Sequence, residues 1–371
     1  MKIDSIICLS DMNWDFMRQR PQQLMTALAA HYPVLYVRNG QDLIKHLIRR
    51  IKGEKHHYLE KIDTQLYALS PIRFLSVRRY PFLHKIFREK MIANIVNDAK
   101  KLGFHNSALW IYSPSMSDMI GCFGEKIVIY DCVDDHAQFS PEHAEAVQCA
   151  EDIIIKKADK IIVTADELYK KLKSKHSDIT IIRNGVEYKH FAIPDKKPSI
   201  KKVLGFIGAV YNWVDVELII KLAKKFSQHE ISIVGPLHDA HAKELRRLSN
   251  ITLHGLQKYE CLPKFLHAFD ICLIPFVISK LTLSVNPVKL YEYFASGKPV
   301  VSTPLPEVMK FSPYVYTANT HEDFIRTVET ALMEDNLEIR NERRKIAFNN
   351  SWEARATEIL TQLNRVNLET H

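Results

Sequence analysis

Short apolar runs rich in β-branched residues alternate with longer amphipathic runs along nearly the whole chain. This alternation is typical of parallel βαβ units, in which each helix carries the chain back to begin the next strand. In the first half the predicted strands are Ile6–Ser10, Val34–Arg38, Leu109–Tyr112, Ile127–Tyr130, Lys160–Thr164 and Ile179–Arg183. The predicted helices there are Pro21–His31, Asp152–Ala158 and Asp166–Lys175.

The alternation pauses at residues 195–202, a charged segment interrupted by proline that has the character of a linker. It resumes with strands Val203–Ile207, Ile231–Val234, Ile251–Leu253 and Ile271–Ile274 and helices Val216–Phe226, Ala240–Arg247 and Leu262–Ala268. The sequence therefore predicts two α/β domains, residues 1–194 and a second that begins at 203, with a cleft between them. Parallel sheets bind ligands beyond the carboxyl ends of their strands, so we expect the βα loops of both domains to face that cleft.

Charge indicates the kind of partner. Lys and Arg number 51 against 43 for Asp and Glu, a net charge of +8 in 371 residues. Such a balance favours an acidic partner: nucleic acid, an anionic membrane or a phosphorylated small molecule. The hydrophobic fraction of 46% is that of an ordinary globular protein and argues against disorder.

The six cysteines form no CxxC pair and no Cys/His cluster with metal-ligand spacing. They are expected to be buried small side chains in a reducing compartment. The amino terminus lacks the pattern of a signal peptide, and no apolar stretch is long enough to span a bilayer. These features predict a cytoplasmic protein.

The strongest local signal is the segment of residues 286–300. Asn286 is a suitable N-cap, Pro287 suits the first helical position, and Gly297 can end the helix in a left-handed conformation. Such a helix would leave amides free at its positive end, which could seat a diphosphate. The amides concerned are those of Val288, Lys289 and Leu290.

Two side chains of this segment suit a nucleotide. The ammonium group of Lys289 can add a full positive charge to the diphosphate seat. Glu292 follows three residues later on the same side of the helix, where its carboxylate could accept hydrogen bonds from a ribose diol. The alternative is an ordinary capped surface helix with a solvated Lys–Glu pair.

The segment NPVKLYEYFASGKPVVST resembles the donor-site helix of GT-B glycosyltransferases of the family 4 type, and more narrowly of a teichuronic-acid-glycosyltransferase-like subgroup. Further matches follow in order along nearly the whole chain: WDFMRQRPQQL at 14–24, YDCVDD at 130–135, RNGVE at 183–187 with Phe191, GFIGA at 205–209 with Trp213, and SWEAR at 351–355. The resemblance implies two Rossmann-like domains facing a cleft, with residues 203–345 binding the nucleotide-sugar. It also implies that residues 346–371 form a helix that returns to the amino-terminal, acceptor-binding domain.

The implied activity is glycosyl transfer (EC 2.4) from a nucleotide-sugar, with UDP favoured, to a saccharide or lipid-linked acceptor in cell-surface polysaccharide synthesis. The wider family carries two glutamates in an ExxxxxxxE pattern; Glu292 fits the second, whereas Ser284 stands at the first. The stereochemical course, retaining or inverting, stays open. The resemblance also places Gly208 in a loop over the diphosphate and implies that Lys258 partly supplies the basic charge that relatives have there.

Two arginines of the first domain are candidate phosphate ligands. Arg18 and Arg20 lie in the loop after the first predicted strand, where guanidinium groups could fork onto phosphate oxygens. The alternative is a role in steadying the loop. Trp14 is expected to plug the domain edge rather than stack on a sugar.

A second group of candidates follows strand Ile127–Tyr130. Asp135, His136 and Asp134 are predicted catalytic residues: one would act as base on the acceptor hydroxyl of an inverting enzyme, and in a retaining enzyme they would hold hydroxyls. Asp131 is expected to cap the loop through backbone amides. The histidines have no carboxylate partners at metal-ligand spacing, and the resemblance implies that amides and cations stabilise the leaving diphosphate, so we predict no metal and no permanently bound cofactor.

Basic residues interleave with large apolar ones at Lys45–Lys61 and Arg73–Lys90. This pattern suits an anionic bilayer surface, and we predict a peripheral protein on the inner face of the membrane. Solvated helix faces are the structural alternative. Two other functions are compatible with parts of the sequence: a nucleotide-sugar epimerase on the same fold, and a basic nucleic-acid-binding protein. The second would leave the 286–300 segment without a purpose, and no nucleic acid is expected.

Overall fold

The computed structural model describes residues 3–38, 40–42, 48, 58–73, 80–139, 141–195, 197 and 199–369. The chain forms two compact units. Unit 1 contains residues 1–164, 168–182 and 356–371, and unit 2 contains residues 165–167 and 183–355.

Unit 1 is built on a sheet of eight strands. Its strands and those of a small parallel pair are β1 (Ser5–Leu9), β2 (Val34–Val37), β3 (Gln41–Asp42), β4 (Leu59–Asp63), β5 (Leu66–Leu69), β6 (Ile72–Arg73), β7 (Ser107–Ile111), β8 (Ile127–Cys132), β9 (Lys160–Val163) and β10 (Ile179–Ile181). The order is β10-β9-β8-β7-β1-β2-β5-β4, and β3 pairs with β6. Only the edge strand β4 is antiparallel to its neighbour among the described strands of the large sheet.

The central strands of this sheet are buried along their whole length. Residues 5–9 and 107–111 are all buried, as expected for parallel strands that helices cover on both faces. The described helices associated with unit 1 are α1 (Arg20–Leu28), α2 (Pro81–Lys101), α3 (Ala144–Lys157) and α4 (Asp166–Leu172).

Unit 2 has a parallel sheet of six strands: β11 (Val203–Ile207), β12 (Glu230–Val234), β13 (Ile251–Leu253), β14 (Ile271–Ile274), β15 (Val300–Ser302) and β16 (Tyr316–Thr317). Their order, β13-β12-β11-β14-β15-β16, is that of a dinucleotide-binding fold. The strand order reverses between β11 and β14 here and between β1 and β7 in unit 1. Ligands of such sheets bind at the carboxyl ends of the strands beside this switch point.

The helices that follow are α5 (Tyr188–Phe191), α6 (Val216–Lys225), α7 (Asp239–Leu245), α8 (Leu262–Ala268), α9 (Lys280–Leu283), α10 (Val288–Ala295), α11 (Pro306–Met309), α12 (His321–Glu334), α13 (Leu337–Asn349) and α14 (Trp352–Glu369). The last, α14, begins in unit 2 and belongs to unit 1 from Ala356 onward. The predicted α/β class with two parallel sheets is confirmed.

The chain passes into unit 2 at Arg183, ahead of the predicted linker at 195–202. Val186 and Phe191 are the reason, because both are buried in the hydrophobic core of unit 2. Residues 183–194 therefore pack with unit 2 rather than with the amino-terminal domain.

Of the described helices, none has both the length and the apolar character that crossing a bilayer requires. The basic stretches predicted to meet a membrane are only partly described: residues 45–47, 49–57 and 74–79 lie outside the described residues.

Candidate functional site

Helix α10 carries the predicted diphosphate seat, and it begins one residue later than expected. Pro287 is the N-cap, Val288 the first helical residue, and Gly297, at φ 76°, follows the C-cap Ser296. The amide of Leu290 already donates to the carbonyl of Pro287 at 3.2 Å. The Leu290 amide is therefore not free for a diphosphate as predicted, and the prediction that Asn286 caps the helix is also wrong.

Asn286 instead ties the RNGVE segment to α10. Its side-chain oxygen accepts a hydrogen bond from the backbone amide of Asn184 at 2.9 Å. Its backbone carbonyl accepts one from the side-chain amide of Asn184 at 2.6 Å. Asn286 is 2% exposed and also bonds the hydroxyl of Tyr291. Because its polar atoms are committed within unit 2, Asn286 positions the helix and presents little to a ligand.

Glu307, which the sequence reading did not single out, belongs to the same group. It is 1% exposed, accepts Arg183 Nε at 2.7 Å and lies 3.4 Å from the side-chain amide of Asn286. A buried carboxylate needs such partners, and this one fixes the start of unit 2 beside α10. A Glu after a Pro-containing turn has no sequence signature that could have indicated this role.

Lys289 lies at the switch point of the second sheet. Its Nζ stands 4.7 Å from the ring centroid of Phe206 on β11 and 4.5 Å from that of Phe276, which follows β14. The hydroxyl of Tyr293, on the same helix, accepts the amide of Ile207 at 2.9 Å and holds α10 against β11. Burial lowers the pKa of Lys289 to about 8, and the nearby Glu292 opposes that shift.

Glu292 is half-buried and lies close enough to Lys289 for their charges to interact. Burial raises its pKa to about 7, against the stabilising charge of Lys289. A desolvated cation and a desolvated carboxylate thus share one face of α10 without an ion pair shorter than 4 Å among the described contacts. Both gain from a ligand that supplies an anion and a diol.

Gly208 makes room for the Lys289 side chain. A Cβ at Gly208 would lie 2.9 Å from Lys289 Nζ, and its φ of +147° is one that L side chains rarely adopt. The loops after β11 and β12 also touch, because a Cβ at Gly235 would lie 2.1 Å from the carbonyl oxygen of Gly208. The glycine predicted over the diphosphate therefore lies directly against the predicted diphosphate cation.

Ser284 and Lys258 are the two remaining candidates in unit 2. The hydroxyl of Ser284 donates to the carbonyl of Leu281 at 2.7 Å, so it is turned into its own helical turn. Lys258 is exposed and precedes a 3-10 helix at Tyr259–Cys261. Its predicted part in charge compensation stays a prediction.

Arg20 is not presented to a ligand. Its guanidinium is 2% exposed and its Nε lies 3.0 Å from both carboxylate oxygens of Asp131, which is fully buried. Trp110 Nε1 donates to the same carboxylate at 3.2 Å. Arg20 therefore forms a buried ion pair within unit 1. Asp131 accepts hydrogen bonds from the side chains of Arg20 and Trp110, whereas the sequence predicted that it would cap a loop through backbone amides.

Two neighbours of Arg20 in the sequence, Arg18 and Trp14, differ in their surroundings. Arg18 is half-buried in the loop ahead of α1, so its predicted role stays a prediction. Trp14 is 7% exposed and packs edge-on against Tyr36 with ring centroids 5.0 Å apart. This packing agrees with the expectation that Trp14 is a structural side chain rather than one that stacks on a sugar.

Asp134, Asp135 and His136 lie together at the carboxyl end of β8. Burial, with a smaller contribution from Asp135, raises the pKa of Asp134 to about 7. Asp135 precedes a 3-10 helix at His136–Gln138. Burial lowers the pKa of His136, and its Nε2 is buried with no hydrogen-bond partner among the described residues.

A buried polar network beneath this loop was missed by the sequence reading. Lys171 Nζ donates to Asp135 at 2.9 Å and to Glu151 at 3.1 Å, and Glu151 is fully buried on α3. Glu151 is a charged residue of an amphipathic helix, and its polarity alone would predict that it faces solvent. Only the packing of α3 on the sheet reveals it.

Three further polar residues lie at the switch point of the first sheet. Asp11, after β1, accepts hydrogen bonds from Ser113 and Ser115, which follow β7; Ser115 Oγ lies 3.0 Å from Asp11 Oδ1. The charge of Asp11 reaches His136, since it acts to raise the pKa of that histidine. The described residues contain no group of three or more His, Cys, Asp or Glu that could hold a metal ion.

The family model described as glycosyl transferases group 1 matches residues 201–334. A curated relative, the putative teichuronic acid biosynthesis glycosyltransferase TuaH of Bacillus subtilis (strain 168), is 32% identical over 271 residues, which cover 66% of this chain and 68% of the relative.

Solved structures share the fold. Sucrose-phosphate synthase from Thermosynechococcus elongatus superimposes with a TM-score of 0.76 at 15% identity, covering 99% of this chain and 100% of the other. Anabaena HepE in complex with UDP and glucose gives a TM-score of 0.68 at 14% identity, covering 97% and 99%. At these identities the likeness concerns the fold alone.

Proposed function

Because the chain belongs to the GT-B glycosyltransferases of the TuaH-like type, which act in cell-surface polysaccharide synthesis, we propose that it uses a UDP-sugar as donor and a saccharide or lipid-linked saccharide as acceptor. The donor would bind at the carboxyl edge of the second sheet. The acceptor would bind at the corresponding edge of the first.

The observation that carries the donor site is the placement of Lys289 at the switch point of the second sheet, against Gly208. The ammonium is held between two aromatic rings and is desolvated, so a diphosphate there would gain a strong charge-assisted hydrogen bond. Glu292, on the same helix, would accept the ribose hydroxyls. HepE, of the same fold, is described in complex with UDP and glucose, which favours UDP as the nucleotide.

The chemistry of the leaving group follows from these residues. Cleavage of the bond between the anomeric carbon and the diphosphate leaves negative charge on the phosphate oxygen. Lys289 and the positive end of α10 would stabilise that charge. Because both are already in place before the reaction, little reorganisation would be needed as the charge develops. On this proposal the transfer needs no metal ion.

The acceptor chemistry is assigned to Asp134, Asp135 and His136. Burial keeps His136 neutral at pH 7, and its unpartnered Nε2 could accept the proton of an acceptor hydroxyl in an inverting reaction. In a retaining reaction the same groups would hold acceptor or sugar hydroxyls. Arg20 has no part in this proposal.

The donor and the reaction type are tested by incubating the purified protein with UDP-, GDP- and ADP-sugars, each with and without a membrane lipid extract. We expect free UDP to appear, and faster with the extract, because transfer releases the nucleotide. An epimerase would change the sugar without releasing nucleotide. Absence of both binding and release for every donor, together with a Glu292→Ala variant indistinguishable from wild type, would reject the proposal.

A membrane surface is proposed at the start of α2. Four apolar side chains stand out into solvent there: Tyr80 (62% exposed), Phe82 (74%), Leu83 (42%) and Ile86 (43%). The exposed cations Lys85 and Lys90 lie on the same helix. Large apolar residues beside cations suit insertion at an anionic bilayer surface, where a lipid-linked acceptor would be found.

Sedimentation with vesicles checks this surface. We expect vesicles of phosphatidylglycerol to retain the protein at low salt, and Phe82→Ser to weaken retention about tenfold through the lost apolar burial. The matched control is Phe348→Ser, which removes a phenylalanine 62% exposed on α13. Equal loss from both variants, or no retention of wild type, would contradict the proposal.

A further inference from the structure

One ammonium group of unit 1 is shared by two carboxylates from different elements. Lys171 Nζ lies 2.9 Å from Asp135 Oδ1 and 3.1 Å from Glu151 Oε2. Burial works against the charge of Lys171, but the two carboxylates outweigh it and raise the pKa of the lysine. The lysine is therefore charged at neutral pH and balances two negative groups at once.

The Glu151 carboxylate is satisfied on all sides. Its Oε1 accepts the hydroxyl of Tyr130 at 2.8 Å, and its Oε2 accepts the side-chain amide of Gln148 at 3.2 Å in addition to Lys171. Burying a carboxylate is costly even when it is paired, and an apolar residue could pack α3 on the sheet at least as well. The arrangement thus favours a role in fixing one conformation over a role in stability.

What this network fixes is the loop that follows β8. Thr164 Oγ1 donates to the carbonyl of Val133 at 2.9 Å, and Cys132 Sγ lies 3.5 Å from the carbonyl oxygen of Asp134. Lys171 holds the next residue, Asp135, whose carbonyl accepts the amide of Gln138 in the 3-10 turn. Each residue leading to His136 therefore has an anchor, and Lys171 supplies the last.

The network also determines the electrostatic surroundings of His136. Glu151 from α3, Asp11 after β1 and Asp135 beside it act to raise the pKa of the histidine, whereas burial and Lys171 act to lower it. The ring Nε2 is buried and has no hydrogen-bond partner among the described residues. A buried ring nitrogen without a partner among the described residues points to a group that a substrate hydroxyl would satisfy.

We propose that Lys171 and Glu151 are positioning residues of the transfer reaction: together they hold the Asp135–His136 turn so that the imidazole Nε2 faces the acceptor hydroxyl. This inference rests on the proposed acceptor role of His136. On this proposal neither residue needs to touch the substrates, so their replacement should change turnover and leave donor binding intact.

The kinetic test compares Lys171→Met and Glu151→Gln with wild type for UDP release from the UDP-sugar that it turns over. We expect kcat to fall about 100-fold, as misplacement of a catalytic group by an ångström does, with the KM for donor unchanged. Lys171→Arg keeps the cation and should retain most of the activity. A wild-type kcat in both folded variants would overturn the proposal.

The matched control uses an ion pair of the same region that does not reach the turn. Lys175 and Asp152, 2.9 Å apart and well exposed, lie beside Lys171 and Glu151 in the chain. Lys175→Gln and Lys175→Met should keep kcat within about twofold, because exposed pairs contribute little. A loss in these controls equal to that of Lys171→Met would mean general destabilisation and would overturn the proposal.

A second measurement does not depend on activity. Histidine-labelled protein is titrated by NMR, with the His136 signal assigned by its absence in His136→Gln. Removing the cation in Lys171→Met should raise the pKa of His136, and removing the carboxylate in Glu151→Gln should lower it further. If wild type releases no nucleotide, the proposed function fails while these opposite shifts still support the network; an unmoved His136 in both variants contradicts it.

Discussion

Lys289→Met is expected to weaken binding of a UDP-sugar by about 10- to 150-fold, since a hydrogen bond to a charged group contributes about 1.5–3 kcal/mol. The reason lies in its surroundings: Nζ stands between Phe206 and Phe276, where the cation has little water and few other partners. The measurement is calorimetric titration with UDP-glucose. Lys224→Met, which removes an exposed lysine from the last turn of α6, is the control and should bind as wild type does.

The affinity measured in this titration should depend on pH in two limbs: it should rise with pH on the acidic side and fall on the alkaline side. Burial raises the pKa of Glu292 to about 7, so on the proposed donor role its carboxylate would accept hydrogen bonds from the ribose hydroxyls fully only above that pH. Burial lowers the pKa of Lys289 to about 8, so its charge is lost as the pH rises past 8. Affinity should therefore be greatest between about pH 7 and about pH 8, since the diphosphate of a UDP-sugar stays ionised throughout this range.

Each limb belongs to one residue. Glu292→Gln should remove the rise on the acidic side, and Lys289→Met should remove the fall on the alkaline side. Affinity that is independent of pH in wild type, or limbs that persist in both variants, would contradict the assignment of these groups to the donor.

Arg20→Met is expected to lower the free energy of unfolding by about 3–5 kcal/mol, because it leaves the Asp131 carboxylate buried without its cation. Asp131 is fully buried, and burial raises its pKa although Arg20 opposes the shift. Urea unfolding followed by tryptophan fluorescence measures the loss. Trp110 reports on this site directly, since its indole nitrogen bonds Asp131.

The control for this prediction is Arg18→Met, two residues earlier and half-buried, which should change stability far less. The double variant Arg20→Met with Asp131→Leu should recover much of the loss, because removing both charges leaves neither one unpaired. If Arg20→Met unfolds at the wild-type urea concentration, the buried pair does not stabilise unit 1.

The strands that could be predicted are those with continuous apolar runs. Val203–Ile207 and Ile271–Ile274, which are almost wholly buried, were predicted with the bounds that the structure has, and so was the edge strand Ile251–Leu253, although none of its residues is buried. Strands β4 and β5 were not predicted: β4 alternates exposed and half-buried residues at the edge of its sheet, and its sequence is mostly charged. Edge strands bury one face only, so their apolar signal is weak.

The candidate residues divide in the same way. Lys289, Glu292 and Gly208 could be proposed for the donor site because one short segment and one loop carry the whole signal, and the structure places Gly208 against Lys289. Arg20 was misread because an arginine in a loop looks the same whether it meets a phosphate or a buried aspartate. Glu151 and Lys171 were missed because each is ordinary in its own helix.

The sequence by itself determined the α/β class, the two sheets and the helix within residues 286–300, since these depend on local periodicity and on neighbours within one or two turns. Only the tertiary structure decided which charged residues are buried against each other: Arg20 with Asp131, and Lys171 with Asp135 and Glu151. The physical reason is that a charge's role depends on its desolvation and its partners, and these come from residues 20 to 111 positions away in the chain.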